Sequence, residues 1–407
     1  MNSQSHKKFT ILYITPQPFL AQRGSPLRVR ATLRALIELG HAVNLLAFPF
    51  GDDCQMPGLT VHRCRKLPWV REVLIGPSWT KFLMDLLLFW EAWRCCRKVQ
   101  PTVLHGIEEG GIIAAVLGLL LRTPFVFDQH SLMSRQIRDR RFCGAGLLAG
   151  VVARLESFCI RRAAAVITVA DEITAHARTL APRVPSDTLP DLPIDVEQVT
   201  ADEIRELRER LGLLSQKVIV YTGNFDPYQG IDLLLKGFSQ YLKSRPAGDS
   251  TPAATLLIVG GGPGEEDRKR EQEQTAERLG LDTAVIFVGS RPVDEMGAFM
   301  QLADVLISPR TAGNNTPLKV YSYMASGRPM VATNISSHTQ VLDDSCAILC
   351  DPTPQDLADK LEVALSDSAA ATARRAAQVL AAKQRVAERF SLEKFRGKLD
   401  ALYAQIK

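Results

Sequence analysis

The chain is 407 residues long, 46% hydrophobic and 23% charged, which makes it too long for one ordinary core and too apolar for disorder. A formal net charge of +5 is small for that length and gives no ground for a nucleic-acid partner. The eight cysteines form no Cys-x-x-Cys pair and have no histidine at metal-finger spacing, so they read as small buried residues and not as metal ligands. The first apolar run, Phe9 to Ile14, is short for a signal peptide, and the longest, Ile112 to Leu121, stops at Arg122 before it could span a bilayer. A cytoplasmic protein without a membrane span is the expectation.

In chain order, Phe9 to Ile14 reads as a buried strand. Ser25-Pro26 opens a helix that carries Val29, Leu33, Leu36 and Ile37 on one face, while Arg28, Arg30, Arg34 and Glu38 are expected to face away. Gly40 closes it and Ala42 to Phe48 resumes a strand, so the sheet is parallel and its crossover right-handed. Further strands are expected at Val103 to Gly106, Phe125 to Phe127 and Val166 to Val169. Leu180 to Gln198, with prolines at 182, 185, 190 and 193, reads as an interdomain linker. The alternation then restarts with Val218 to Thr222, Thr255 to Val259, Val285 to Val288, Val305 to Ile307, Met330 to Ala332 and Ile348 to Leu349.

The fold class that follows is α/β, with two facing Rossmann-like domains and a ligand cleft at the carboxyl edges of their sheets. The expected boundaries are 1–185, a linker 186–200, 201–385, and a C-terminal segment 386–407. In that last segment Phe395, Leu399 and Leu402 share one helix face.

Ser308 to Thr333 carries the strongest sign of chemistry. A short apolar strand ends at Pro309, a polar loop Arg310-Thr311-Ala312-Gly313-Asn314-Asn315-Thr316 follows, and Pro317 suits the first turn of a helix running to Ser326, with Thr316 as its expected N-cap. A loop between a strand end and a helix N-terminus is a favourable place for an anion, and Arg310 and Lys319 add positive charge. The same residues also fit an ordinary connection with a solvated tip.

This stretch resembles the donor-site segment of retaining, two-domain nucleotide-sugar glycosyltransferases of glycosyltransferase family 4. The family's Ala-x-Gly-x-Pro-x-Val-Ala tail stands here as Ala325-Ser326-Gly327-Arg328-Pro329-Met330-Val331-Ala332. The two glutamates that the family usually carries eight positions apart fall on Asn314 and Ser322, and this marks a divergent member. The resemblance implies a GT-B architecture, a C-terminal helix packed back on the first domain, no metal or other cofactor, and retention of anomeric configuration. It also implies Asn314, Asn315, Thr316, Pro317 and Leu318 near the donor, Ser322 at the ribose, and Arg310 and Lys319 at the diphosphate.

In Tyr221 to Gly230 the family's usual Arg and Lys are replaced by Asn224 and Gln229, which leaves Gly223 and the loop N–H groups, Arg310, Lys319 and Arg291 to meet phosphate. Gly24, before the first helix, reads as either a phosphate turn or a plain one. Asp128 and His130 end a buried strand, and the resemblance implies that His130 contacts the donor sugar. Glu108 and Glu109 end a neighbouring strand and read either as acceptor-hydroxyl ligands, as Asp128 does, or as a helix cap.

All four tryptophans fall between Leu67 and Lys98, and a second basic stretch runs from Ser134 to Phe142. Two readings stay open for this region: peripheral contact with an anionic membrane, or Leu83, Leu87 and Trp90 as core beneath a solvated face. The expected activity is transfer of a sugar from a nucleotide diphosphate sugar to a hydroxyl of a glycan or lipid-linked acceptor, in the cytoplasm and at the inner face of the membrane. The alternatives are a nucleotide-sugar epimerase of the same architecture and a non-catalytic nucleotide-sugar-binding subunit.

Overall fold

The computed structural model describes residues 7–17, 24–51, 56–70, 79–139, 145–194, 199–245, 254–262, 264–313 and 315–406. The chain divides into two compact units. The first comprises 1–191 with 391–407, and the second 192–390.

Unit 1 runs β1 Thr10–Thr15, α1 Gly24–Glu38, β2 Ala42–Ala47, β3 Leu59–Arg63, α2 Trp79–Val99, β4 Val103–Ile107, α3 Glu109–Leu121 and β5 Phe125–Gln129. It continues with α4 Met133–Asp139, α5 Ala145–Arg162, β6 Ala165–Thr168, α6 Asp171–Leu180 and β7 Ser186–Thr188. The strands form one parallel sheet in the order β3-β2-β1-β4-β5-β6-β7. The stretch read as linker thus contains β7, which pairs with β6. β3 and β7 gave no sequence signal, because β3 is short and only partly buried and β7 consists of three polar residues, Ser186, Asp187 and Thr188.

Unit 2 runs α7 Ala201–Arg210, β8 Lys217–Gly223, α8 Ile231–Ser244, β9 Ala254–Gly260, α9 Glu266–Arg278, β10 Val285–Gly289 and α10 Met296–Gln301. There follow β11 Val305–Ser308, α11 Leu318–Ser326, β12 Met330–Thr333, α12 Ser336–Thr339, β13 Ile348–Cys350, α13 Pro354–Leu365 and α14 Ala369–Arg389. Its parallel sheet is ordered β10-β9-β8-β11-β12-β13. Alternate residues explain why these strands are apolar throughout. Ile219, Tyr221, Leu256 and Ile258 enter one core while Val218, Val220, Leu257 and Val259 enter another, as expected of a sheet covered on both faces.

The chain then returns to unit 1 as α15 Leu392–Tyr403, capped by the Ser391 hydroxyl, which accepts from Lys394 N–H at 3.4 Å. Phe395, Leu399 and Leu402 are buried, and the helix packs against α1. Arg396 reaches Glu38 at 3.1 Å and the Lys398 ammonium donates to the Thr188 carbonyl at 2.8 Å.

One expectation for α1 is corrected. Arg28 does not face away but is 4% exposed. Thr32 and Ala35, one and two turns on, are also buried and widen the inward face beyond the Val29, Leu33 and Leu36 stripe.

Candidate functional site

In unit 2 the strand ends of β8, β9 and β11 converge with the start of α11. Gly223 closes β8 at φ 146°, and a Cβ there would lie 2.6 Å from Lys319 Nζ. Gly260, opposite it on β9, has φ 149° and no room for a Cβ, which would strike the Gly223 carbonyl oxygen. Only glycine permits both this backbone and this approach.

Lys319 is half-buried as a residue, but its ammonium is shut off from solvent and has no hydrogen-bond partner among the described residues. It sits 3.8 Å from the Tyr221 ring centroid. Burial, and then the charge of Arg310, push its pKa well below the ordinary lysine value. Tyr221 is held in turn by its hydroxyl, which donates to the Asn224 carbonyl at 2.7 Å.

Arg310, also buried, donates to the Asn315 carbonyl at 2.8 Å and lies 5.0 Å from the Tyr228 ring centroid. Its Nε has no partner among the described residues. Among the described residues no carboxylate is hydrogen-bonded to either cationic group, an arrangement that a polyanionic ligand would complete.

Helix α11 begins one residue later than expected. The N-cap is Pro317, in extended conformation, and no side chain caps the first turn, so Thr316 is not the cap. A proline at that position has its φ fixed by the ring and supplies no side-chain oxygen to the amides, which leaves the helix N-terminus open to a ligand. Thr316 and Pro317 are buried and Leu318 half-buried at this end, whereas Asn314 lies outside the described residues.

The Ser322 hydroxyl, one turn further on, accepts from the Ile194 N–H at 3.0 Å. Asn224 donates to Asp226 at 3.0 Å, and the side-chain oxygens of Asn224 and Gln229 are buried without a partner among the described residues. Arg291 is exposed beyond β10, and no hydrogen bond or ion pair joins it to the Arg310 and Lys319 pair.

Behind Arg310, His338 bonds the Ser308 hydroxyl at 2.9 Å and the Thr333 carbonyl at 2.8 Å, while the Thr333 hydroxyl donates to the Arg310 carbonyl. Burial lowers the His338 pKa to about 4, so the ring is neutral and braces the two strand ends. Sequence reasoning missed His338, which lies in no motif, and gave Tyr221 and Tyr228 no role although both fall in the segment Tyr221 to Gly230 that it singled out.

Unit 1 holds a second cluster, around Asp128 at the end of β5. Asp128 is fully buried, 3.7 Å from Arg28, 3.5 Å from His105 Nε2 and 3.3 Å from His130 Nε2. Burial alone would raise its pKa, but the surrounding His130, Arg28 and His105 hold it well below the usual carboxylate range. Arg28 also donates from Nε to His130 Nε2 at 3.0 Å and from a terminal nitrogen to Asp191 at 3.1 Å. Because guanidinium stays protonated, that contact makes Nε2 of His130 an acceptor toward Arg28.

His105 stacks on Tyr13 at 4.3 Å, and its Nδ1 lies 2.7 Å from the Tyr403 hydroxyl of α15. A carboxylate only accepts, so Nε2 of His105 carries the proton toward Asp128 and Nδ1 accepts from Tyr403.

Glu108 is buried at the N-cap position of α3 with φ 50°, and its side chain makes no cap bond. One carboxyl oxygen accepts from Ser131 at 3.0 Å, and the other has no partner among the described residues. Burial and the adjacent Glu109 raise its pKa well above the usual value. Glu109 itself is ion-paired with Lys81 at 2.5 Å. Gly24 is the first residue of α1, and most of the loop before it lies outside the described residues. Among the described residues no group of His, Cys, Asp and Glu forms a metal cluster.

Comparison with known proteins bears on these two clusters. The family model for glycosyl transferases group 1 matches residues 216–367, and that for a glycosyl transferase 4-like domain matches residues 23–190. A D-inositol 3-phosphate glycosyltransferase of Corynebacterium urealyticum is 28% identical over 236 residues, 57% of this chain and 53% of that protein. A GDP-mannose-dependent alpha-(1-6)-phosphatidylinositol monomannoside mannosyltransferase of Mycolicibacterium smegmatis is 31% identical over 210 residues, 49% of this chain and 52% of that protein. The chain thus spans about half the length of these curated relatives.

Among solved structures, sucrose-phosphate synthase from Thermosynechococcus elongatus shares the fold with TM-score 0.78 at 20% identity, covering 98% of this chain and 99% of that one. Anabaena HepE in complex with UDP and glucose does so with TM-score 0.73 at 17% identity, covering 97% of this chain and 98% of that one. The two family models lie one on each unit and together take in most of the sequence, and the chain belongs to the family 4 glycosyltransferases.

Proposed function

We propose that the chain transfers a sugar from a nucleotide diphosphate sugar to a hydroxyl of a glycan or lipid-linked acceptor, with retention of configuration and without a bound metal. The observation that carries the reading is the Lys319 ammonium, buried and unpartnered among the described residues, beside Arg310 and the uncapped start of α11. A departing diphosphate would be met there by two cations and by free helix amides, so that negative charge is stabilised as it develops. Lysine is the apt residue: its ammonium form is disfavoured in the empty site and favoured once a dianion arrives.

Donor binding is assigned to unit 2, with Asn314, Asn315, Thr316, Pro317 and Leu318 at the sugar side, Ser322 toward the ribose, and Gly223, Asn224, Gln229 and Arg291 around the phosphates. Unit 1 is assigned the acceptor through Glu108, Glu109 and Asp128, with His130 and Gly24 serving the donor sugar and phosphate. No carboxylate nucleophile is evident in the sequence, and the mechanism proposed relies, as in the resembling enzymes, on the leaving phosphate to assist deprotonation of the acceptor; Asn314 and Ser322 stand where the family usually has glutamates. The relatives named for inositol 3-phosphate and for phosphatidylinositol mannoside make phosphorylated polyols and their lipids the first acceptors to try. A lipid-linked acceptor would put the enzyme in the cytoplasm at the inner face of the membrane.

The test is thermal unfolding with UDP, GDP, ADP and their common sugar conjugates, followed by release of nucleoside diphosphate on addition of acceptors. The HepE complex named for UDP and the relative named for GDP-mannose put the first two series foremost. A rise in midpoint with one series fixes the base. Binding without turnover toward any acceptor would favour a non-catalytic subunit, for which the neutral Asn224, Gln229, Asn314 and Ser322 speak. No response to any series would overturn the reading.

A further inference from the structure

The inner faces of three helices of unit 1 meet in one core, through Met84 and Leu88 of α2, Ile113 and Leu117 of α3, and Cys159 and Ile160 of α5. α3 touches both of the others. Their outer faces therefore form one surface on a single side of the sheet.

That surface is apolar. Phe82, Leu86 and Trp90 stand a turn apart along α2, and all are exposed. On α5 Leu147, Val151 and Leu155 recur at the same spacing, with Leu147 79% exposed, and Leu119 and Leu120 of α3 lie between the two rows. Leu83 and Trp90 are exposed rather than core, which corrects that alternative for the tryptophan-rich segment; Leu87 alone of the three packs inward. Contiguous exposed side chains of this size on a protein surface mark an interaction site.

The charges decide what docks. On the described parts of these helices every exposed charged residue is basic. Arg94, Arg97 and Lys98 close α2, Arg122 follows α3, and Arg154, Arg161 and Arg162 flank the apolar row of α5. The acids are each partnered and none is an exposed residue: Asp85 and Glu109 pair with Lys81, Glu91 with Arg65, and the buried Glu156 takes a bond from Gln129. Arg97 lies 5.2 Å from the Trp93 ring centroid, an aromatic and cationic pair suited to a boundary between acyl chains and headgroups. A second copy of the chain would set these cations against one another. A bilayer with anionic headgroups satisfies both features at once, since it takes apolar side chains at the acyl boundary and presents negative charge at the level of the arginines.

We propose that the outer face of α2, α3 and α5 docks on the surface of an anionic phospholipid bilayer, with the three helices lying in the headgroup plane. The inference deepens the membrane-surface part of the transferase reading and names the face responsible.

The test is co-sedimentation of the full chain with vesicles of phosphatidylcholine alone and of phosphatidylcholine containing about one-third phosphatidylglycerol. It compares the wild type with R154E/R161E/R162E and with F82S/L120S/L147S. All six positions are exposed, so the unfolding midpoint and its shift with nucleoside diphosphate should stay as in the wild type.

Wild type is expected to bind the anionic vesicles alone. At roughly fivefold in partitioning for each cation near an anionic surface, the charge-reversed variant should lose more than a hundredfold. The apolar variant should lose more than about tenfold. Undiminished binding by both variants, or no binding to anionic vesicles by the wild type, overturns the proposal. So does a dimer in sedimentation velocity that F82S/L120S/L147S abolishes while vesicles stay unbound, since the face would then join two copies. A nucleotide-induced shift without vesicle binding leaves donor binding standing and removes the docking face. Vesicle binding without any nucleotide response does the reverse.

Discussion

Replacing Lys319 by Met keeps the length and apolar stem of the side chain and removes one buried charge. A hydrogen bond to a charged group contributes about 1.5–3 kcal/mol, so the variant should bind a nucleoside diphosphate roughly ten- to a hundredfold more weakly. With ligand at one hundred times the wild-type Kd, the wild type gains about 2.7 kcal/mol, while a variant weakened thirtyfold gains about 0.9 kcal/mol. For a unit of this size that is a midpoint rise of roughly 5–10 °C against roughly 2–4 °C.

Without ligand the substitution should not destabilise. The folded pKa of Lys319 lies well below its unfolded value, through burial first and then Arg310, so at neutral pH the folded state disfavours the ammonium. That penalty fades as pH rises from the folded pKa toward the unfolded one. The apo wild type should therefore gain stability over that alkaline window and K319M should lack the slope. Differential scanning fluorimetry over a pH series, with and without UDP or GDP, measures both effects. A ligand-induced shift equal to that of the wild type would remove Lys319 from the donor site. An apo midpoint several degrees lower would show that the ammonium serves the fold and not a ligand.

Two further predictions concern the braces behind the clusters. Burial holds the His338 pKa at about 4 against roughly 6.5 unfolded, a depressed base, so its contribution is intact above pH 6.5 and declines by roughly 3 kcal/mol as pH falls to 4. H338Q should flatten that part of the urea midpoint against pH, and an unchanged slope would assign it to other groups. Tyr403→Phe leaves His105 Nδ1 without its donor. It should lower stability by about 1–3 kcal/mol, and, if the ring orients Asp128 and His130, it should also change the acid limb of the kcat profile; a stability loss with an unaltered pH profile would make the bond purely structural.

The α/β class was legible because its signals are local. Apolar runs of strand length, each closed by Gly, Pro or a helix cap, mark parallel strands buried on both faces, and Val218–Val220 and Leu256–Val259 behave as that pattern requires. The strand, loop and helix around Arg310 and Lys319 were legible for the same reason, down to a one-residue shift in the cap. β3 and β7 were not, because neither a short half-buried strand nor a three-residue polar one has an apolar period to show.

What the sequence determined by itself is therefore the apolar strands, the helices between them and their order, since hydrophobic period and capping chemistry act over a few residues. Which polar groups are buried together was decided only by the tertiary structure. Tyr403 and His105 are 298 positions apart, and Arg28 becomes an inward residue only because Asp128, Asp191 and Phe395 surround it. A buried charge is tolerated where partners far along the chain satisfy it, and no local pattern encodes those partners. The same holds for the outer face of α3. From sequence its apolar run is only too short to span a bilayer, and the packing of α2 and α5 against α3 decides that Leu119 and Leu120 are the exposed ones.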